Sequence, residues 1–141
     1  MIIFKKNIFF SFFASSMVFL AGCSKKENLI TGDLSTQLTA SNWAIHYFNA
    51  GSDITGDFSG YIFHFSSNGN CTAKKGNSTI TGSWQVVKAD NNVEKLQMNI
   101  SSNPVLQSLN EWWELQAISY NLVEFTVDDT TKNKQFHFIR L

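Results

Sequence analysis

The chain has 141 residues, and its eleven basic and eleven acidic side chains give a formal net charge of zero at pH 7. This length indicates one folded domain rather than two. Because the sequence has no basic stretch with interleaved aromatic residues, nucleic acid is not expected as a partner.

The first 22 residues have the pattern of a secretory signal. Lys5 and Lys6 precede an apolar run over residues 8–20, and small residues follow that run. The run is shorter than the ~20 residues that a membrane-spanning helix needs, so it predicts a removable signal rather than a permanent helical anchor. Once residues 1–22 are removed, nine basic side chains remain against eleven acidic ones, a net charge of about −2.

The signal ends in Leu20-Ala21-Gly22-Cys23, which resembles the lipobox of bacterial lipoproteins. The resemblance implies that the Cys23 sulfur receives a diacylglycerol and that Cys23 becomes the first residue of the mature lipoprotein. Two or more acyl chains, such as palmitate, form a stable anchor because each buried methylene contributes ~0.8 kcal/mol. We therefore expect Cys23 to be a membrane tether, the alternative being an ordinary signal with a chance cysteine.

The lipobox resemblance also implies a location in the bacterial envelope. Ser24 lies directly after the cysteine, at the position where an aspartate typically retains lipoproteins at the inner membrane. The acid-rich run that sends some lipoproteins to the cell surface is missing. The expected location is therefore the outer membrane, on its periplasmic face.

Residues 23–40 are expected to form the lipidated N-terminus and a polar linker, with a short helical turn near Leu34 and Leu38. The domain proper is expected over residues 41–141, where apolar and polar residues alternate. Strict alternation predicts antiparallel strands with one buried face. The predicted inward positions are Trp43, Ile45, Tyr47, Tyr61, Phe63, Phe65, Ile80, Gly82, Trp84, Val86, Leu96, Met98, Ile100, Trp113, Leu115, Ala117, Val123, Phe125, Val127, Phe136 and Phe138.

One short helix interrupts the predicted strands. Asn103 is a good N-cap and Pro104 suits the first helical turn, so a helix is predicted over residues 104–110, with Val105, Leu106 and Leu109 as its apolar residues. The other links are short and rich in Asn, Asp and Gly, which favours strands that pair with their sequence neighbours. We therefore predict an all-β, antiparallel, up-and-down barrel of about eight strands, with a β-sandwich as the alternative.

The same region resembles a known kind of domain. The residues that carry the likeness are Trp43, Ile45, Tyr47, Phe48, Asp53, Thr55, Phe58, Gly60, Tyr61, Phe63, Phe65, Asn68, Gly69, Thr81, Gly82, Trp84, Leu96, Met98, Ile100 and Trp113. This series is similar to that of the lipocalin-like domains of small Gram-negative envelope lipoproteins, over most of residues 41–139. The resemblance implies a lipocalin-like barrel and does not by itself imply an activity.

The first functional hypothesis is that the barrel binds a small ligand. The interior of an eight-stranded barrel is filled by side chains or holds one small molecule. An aromatic cavity for an apolar or amphipathic ligand would be lined by Trp43, Tyr61, Phe63, Trp84 and Trp113. The alternative is that the same rings are simply the core.

The second hypothesis is a structural or interaction module of an envelope protein complex. Phe48, Ile62, Trp112 and Ile118 lie off the predicted inward face and could form an exposed apolar patch for a protein partner. Alternatively, these four side chains cover the helix or the linker.

An enzyme is not expected, and neither is a cofactor. The sequence has no Gly-x-Ser-x-Gly, no His-Glu-x-x-His and no phosphate-binding glycine loop. Its acidic residues near predicted turns or beside tryptophans are interpreted as turn and surface residues; they are Asp53, Asp57, Asp128, Asp129, Glu111 and Glu114.

Cysteine and histidine could support other chemistry. Cys71 is the only cysteine besides Cys23 and is expected to be a half-buried strand residue, with an intermolecular disulfide as the alternative. His46, His64 and His137 are predicted to point outward, and on neighbouring strands they could hold zinc or copper. Scattered surface histidines are the preferred interpretation, so no metal site is predicted.

Overall fold

The computed structural model describes residues 33–141. The predicted signal peptide, the lipidation site Cys23 and the first part of the linker lie outside the described residues. Among those that are described, no helix is long and apolar enough to cross a membrane.

Eight antiparallel strands close into one barrel in chain order, and the last strand pairs with the first. This confirms the predicted up-and-down barrel, and the sandwich alternative was wrong. The strands are β1 Asn42–Ala50, β2 Ile62–Phe65, β3 Asn70–Lys75, β4 Ser78–Lys88, β5 Glu94–Asn99, β6 Trp112–Ile118, β7 Leu122–Val127 and β8 Lys134–Arg140.

Two tight turns depend on glycine. Gly69 in the β2–β3 turn has φ 87° and Gly76 in the β3–β4 turn has φ 58°. Both angles lie in the left-handed region, which glycine enters without steric penalty. These turns allow β2, β3 and β4 to pair as direct neighbours.

A β-bulge in β1 reverses part of the predicted inward face. The pairing of β1 with β8 shifts between Ile45 and Tyr47, so His46 is an extra residue in the strand. An extra residue changes the phase of the alternation. Phe48 is consequently buried in the core and Tyr47 lies half-exposed, the opposite of both predictions.

Strand β6 contains a second register shift, between Leu115 and Ala117. After it, Ala117 pairs with Glu124 and is exposed, whereas Ile118 pairs with the buried Val123 and packs partly against the core. Ala117 was therefore wrongly predicted to point inward. The physical reason is the same change of phase as in β1.

Helix α1, Leu34–Thr39, packs against β1, β2 and β4 and so covers one end of the barrel. Its N-cap is Asp33, whose Oδ1 accepts a hydrogen bond from the Thr36 backbone N at 2.8 Å. Leu34 and Leu38 have no exposed surface. The helical part of the predicted linker thus belongs to the packed unit, because its two leucines complete the core.

Two further helical segments lie near the other end of the barrel and contact each other. One is a short 3-10 helix, Thr55–Phe58, which the sequence did not predict. The other, α2 Pro104–Gln107, was predicted, and the Asn103 Oδ1 caps it by accepting a hydrogen bond from the Leu106 backbone N at 3.1 Å. The apolar side chains of Phe58 and Leu106 are both buried.

Candidate functional site

The five aromatic residues predicted to line a cavity all contribute to the core. Trp43, Phe63 and Trp113 are 0% exposed, while Trp84 keeps 7% of its surface and Tyr61 keeps 9%. A void large enough for a water molecule would leave part of the neighbouring rings accessible. The three fully buried rings are therefore in contact with protein on all sides, as in a close-packed core.

Each of the three inward tryptophans uses its indole N–H within the protein. Trp43 Nε1 donates to the Leu38 carbonyl oxygen of α1 at 3.0 Å. Trp113 Nε1 donates to the Leu109 carbonyl oxygen at 2.8 Å. These bonds tie the barrel wall to the segments at its two ends, and they satisfy donors whose burial would otherwise be costly.

Trp84 and Tyr61 occupy more peripheral positions. Trp84 Nε1 donates to the Ser66 carbonyl oxygen at 2.9 Å and thereby holds the β2–β3 turn. The Tyr61 hydroxyl accepts a hydrogen bond from Asn103 Nδ2 at 3.2 Å, and Lys75 Nζ lies 4.9 Å from the centre of the tyrosine ring. The structure thus gives both side chains protein partners at the rim of the core.

Arg140 at the end of β8 was missed by the sequence reasoning. Its guanidinium lies 5.3 Å from the Trp43 ring and 4.5 Å from the exposed Tyr120 ring. Its Nη2 donates to the Gln37 Oε1 of α1 at 2.9 Å. Through these two aromatic contacts and one hydrogen bond, Arg140 links β8 to α1 at the end of the barrel that α1 covers.

The predicted apolar patch does not exist as one surface. Phe48 is buried, and Trp112 and Ile118 are only partly exposed. Ile62, which is 42% exposed, lies on β2, which is not adjacent to β6 in the barrel. The bulge in β1 accounts for the loss of Phe48 from the outer wall.

The three histidines lie on the neighbouring strands β8, β1 and β2 without meeting at one point. His64 is opposite Asn42, whereas His137 is opposite Tyr47, roughly 15 Å further along β1 at the usual rise per residue. Over residues 33–141, no group of three or more His, Cys, Asp or Glu side chains is placed to hold a metal ion. His64 Nδ1 lies instead 3.2 Å from Asn42 Oδ1.

Two of the acidic residues are turn residues, as predicted. Asp53 Oδ1 accepts hydrogen bonds from the Thr55 hydroxyl at 2.6 Å and from its backbone N at 2.9 Å. Asp129 Oδ1 has the same pair of bonds to Thr131, at 2.7 and 3.0 Å. In both cases the threonine hydroxyl is the main cause that lowers the pKa of the carboxyl group.

Glu111, which precedes β6, forms an ion-pair cluster with two lysines. Its two carboxylate oxygens lie 2.9 Å from Lys134 Nζ and 3.0 Å from Lys132 Nζ. The hydrogen bond from Lys134 is the largest of the effects that lower the pKa of Glu111. This cluster joins the start of β6 to the start of β8 and gives the carboxylate a structural role.

Cys71 on β3 is more deeply placed than predicted. Its side chain is buried rather than half-buried, and burial raises the pKa of the thiol to about 11. Its Sγ lies 3.6 Å from the Ser83 carbonyl oxygen. A thiol that is both buried and protonated is poorly suited to the intermolecular disulfide considered above.

A concave feature lies along β4 and β5. It is a groove of about 500 Å³ with five uncharged polar residues in its lining, namely Ser83, Gln85, Gln97, Asn99 and Asn110, together with Trp84 and Met98. The sequence reasoning missed this groove. The only signal for it was the run of outward polar residues on two strands that turned out to be neighbours.

A smaller groove of about 250 Å³ lies between the 3-10 helix and α2. Phe58 and Val105 provide apolar surface there, and Asp57 and Ser108 provide polar groups. Because the 3-10 helix and α2 pack against each other, this groove is the surface depression along their contact.

Comparison with known proteins supports the fold and goes no further. No protein-family model and no curated protein matches the chain. Among solved structures, the chain is similar to the 1.00 Å crystal structure of a DUF4847 family protein from Bacteroides vulgatus ATCC 8482, with a TM-score of 0.56. The likeness covers 76% of this chain and 96% of the other, at 16% sequence identity. At that identity, the similarity is one of fold alone.

Proposed function

We propose that the protein is a non-catalytic recognition module of the bacterial envelope, tethered to the outer membrane through Cys23. In this proposal the barrel is a solid scaffold, and recognition takes place on its outer wall. The observation that supports it is the packed interior, in which the rings predicted to line a cavity pack against other core rings instead.

The aromatic contacts illustrate how fully the interior is occupied. Phe138 lies with its ring centre 5.3 Å from that of Phe63 and 5.6 Å from that of Phe65. The ring centres of Phe136 and Trp113 are 4.6 Å apart. An apolar ligand inside the barrel would have to displace such rings and forfeit their packing, which is costly in a close-packed core.

The proposed tether has a definite reach. Ten residue steps separate Cys23 from Asp33, the N-cap of α1. A fully extended chain spans at most ~3.3–3.6 Å per residue, so the tether could hold the barrel no more than about 35 Å from the bilayer. The barrel would then act on partners within the membrane-proximal layer of the envelope.

The tether is tested by expressing the full chain in a Gram-negative host that is fed labelled palmitate. We expect the wild-type chain to carry the label and to sediment with the outer membrane, and Cys23→Ser to lose both properties. Cys71→Ala is the matched control and should keep the label, since its cysteine lies in β3. Label or membrane retention that persists in Cys23→Ser would refute the tether.

A further inference from the structure

We propose that the groove along β4 and β5, here called the amide groove, binds a neutral saccharide. The inference rests on the proposed function and deepens it, because it assigns a ligand class to one part of the outer wall. Four observations carry it: the shape of the groove, its free hydrogen-bonding groups, its lack of charge and the indole beside it.

The groove forms where β5 and β6 separate. The ladder between these strands ends at the pair Gln97 and Trp112, and α2 follows β5 in the chain. Beyond that pair, the side-chain amide of Asn110 takes the place of β6 backbone as the hydrogen-bond partner of Ile100. Its Oδ1 accepts from the Ile100 backbone N at 2.8 Å and its Nδ2 donates to the Ile100 carbonyl oxygen at 2.9 Å. One edge of the groove is therefore held rigidly by a side chain.

Cross-strand register brings the other polar residues together. Ser83 is opposite Asn99, and Gln85 is opposite Gln97. Gln85 Nε2 donates to Gln97 Oε1 at 2.7 Å, which fixes the two amides relative to each other. Gln85 therefore keeps its acceptor oxygen and one N–H, and Gln97 keeps both of its N–H donors.

The two remaining side chains are free to bind. Within residues 33–141 neither the Ser83 hydroxyl nor the Asn99 amide takes part in a side-chain hydrogen bond, as the bonds found for that part of the chain involve other groups. The amide groove therefore offers donors and acceptors side by side. Sugar hydroxyl groups, which are donors and acceptors at once, match this mixture.

Trp112 adds an apolar surface next to these amides. It lies directly opposite Gln97 on the outer face of β6 and is half-buried. Side chains opposite each other on one face of a sheet have Cβ atoms ~4.5–5.5 Å apart, so the indole is within reach of a ligand in the groove. Its flat face suits the C–H face of a sugar ring, while the amides meet the hydroxyl groups.

The lack of charge excludes other ligand classes. No Asp, Glu, Lys or Arg is among the residues that line the amide groove. A phosphate, a nucleotide or an acidic peptide would lose its hydration there without a compensating cation. A lipid would leave the amides unpaired, and the volume of about 500 Å³ lies in the range of small-molecule sites.

The experiment measures saccharide binding to the full chain in detergent by calorimetry. The probes are the neutral hexasaccharides of maltose, cellulose and laminarin type, with a heparin hexasaccharide as the charged comparison. We expect saturable binding of at least one neutral probe and none of heparin. No neutral probe binding, or equal binding of heparin, would overturn the proposal.

Variants locate the binding site. Gln97→Ala and Trp112→Ala should each weaken the binding at least tenfold, and Trp112→Phe should recover most of the affinity lost in Trp112→Ala. Gln116→Ala, an exposed amide on β6 outside the groove, is the matched control and should leave binding unchanged. Exposed Gln85→Lys tests the groove without touching the core, so loss of binding with an unchanged melting temperature supports the proposal. Unchanged binding in Gln85→Lys and Gln97→Ala would overturn it.

The saccharide experiment and the tests of the proposed function can fail independently of each other. If the chain is lipidated at Cys23 but binds no neutral saccharide, only the ligand class fails. If an apolar molecule enters the barrel interior, the surface-recognition proposal fails irrespective of the groove.

Discussion

Gly82 shows how one residue sets the distance between two parts of the barrel wall. A Cβ atom at this position would lie 2.6 Å from the Asn99 carbonyl oxygen and 2.7 Å from Ile100 Cγ1. Both distances are shorter than real Cβ contacts allow. Because one neighbour is backbone, the clash could be relieved only by moving β5 away from β4.

We predict that Gly82→Ala destabilises the protein by ~1–3 kcal/mol, the usual range for overpacking a close contact. The free energy of unfolding is measured by urea denaturation. Gly56→Ala is the matched control, because a Cβ at Gly56 meets nothing within 4 Å and its φ is not in the left-handed region. The control should change stability by no more than ~0.5 kcal/mol. Equal effects of the two substitutions would contradict the role of Gly82.

The sequence predicted the orientation of Gly82 but not the reason for glycine. Alternation placed it on the inward face with Trp84, and the structure agrees in pairing Gly82 with the buried Cys71. The close approach of Asn99 depends on how β4 and β5 curve around the barrel. Curvature is a property of the closed sheet, so it has no signature within one strand.

At the scale of elements, α1 is the clearest case of tertiary packing overriding local preference. Six residues are too few to form a stable helix alone in water. The helix exists because Leu34 and Leu38 are buried against the barrel and because Asp33 caps it. The sequence indicated a polar linker with a short helical turn near the two leucines, but not that this turn would be part of the core.

We predict that Leu38→Ala lowers the free energy of unfolding by ~2–5 kcal/mol, as for other buried leucines truncated to alanine. The control is Thr36→Ala on the exposed side of the same helix, which should change stability by less than ~0.5 kcal/mol. Chemical denaturation followed by tryptophan fluorescence measures both. If Leu38→Ala behaved like Thr36→Ala, α1 would be a tether rather than a part of the core.

The Glu111 cluster connects the starts of β6 and β8 and predicts a dependence of stability on pH. The pKa of Glu111 is lower in the folded protein than its ordinary value, mainly through Lys134. Its contribution is therefore fully present above the pKa of the unfolded chain, roughly 4.3. It is lost as the pH falls through the lower pKa of the folded state.

We predict that Glu111→Gln destabilises the protein at pH 7 by no more than ~1 kcal/mol, since the group is partly exposed to solvent. The difference from wild type should shrink as the pH is lowered from 5 towards 2. Glu114→Gln is the control, because Glu114 forms none of the ion pairs found over residues 33–141. Urea denaturation at a series of pH values provides the measurement. A Glu111→Gln difference that did not vary with pH would argue against the ion pairs.

The strands were predictable from the sequence, whereas the bulges and the amide groove were not. Alternation of apolar and polar residues is a local property, so it identified the strands. The short links between them then predicted that the strands pair in chain order. A bulge is an insertion relative to a partner strand, which is why Phe48 and Ala117 were assigned to the wrong faces. The groove depends on which outward amides become neighbours, and only the register of β4 with β5 decides that.

At the scale of the whole molecule, the barrel behaves as a solid body built around aromatic rings. Phe136 has no exposed surface, and its ring centre lies 4.6 Å from that of Trp113 and 4.8 Å from that of Phe125. It also lies 5.0 Å from the ring of Phe138 and 5.9 Å from that of Phe48. Removal of this one side chain should therefore open a void that the natural barrel lacks.

We predict that benzene leaves the melting temperature of the wild-type barrel unchanged but raises that of Phe136→Ala. An apolar cavity created by truncation stays dry and binds small apolar molecules, whereas a filled core has no room for them. Phe136→Ala should itself cost ~3–5 kcal/mol, so Phe136→Leu, with a smaller void and a smaller benzene effect, is measured beside it. Differential scanning calorimetry with saturating benzene gives the shifts. A rise in the wild-type melting temperature would mean that the interior already holds a ligand-sized space, and recognition on the outer wall would no longer be the better explanation.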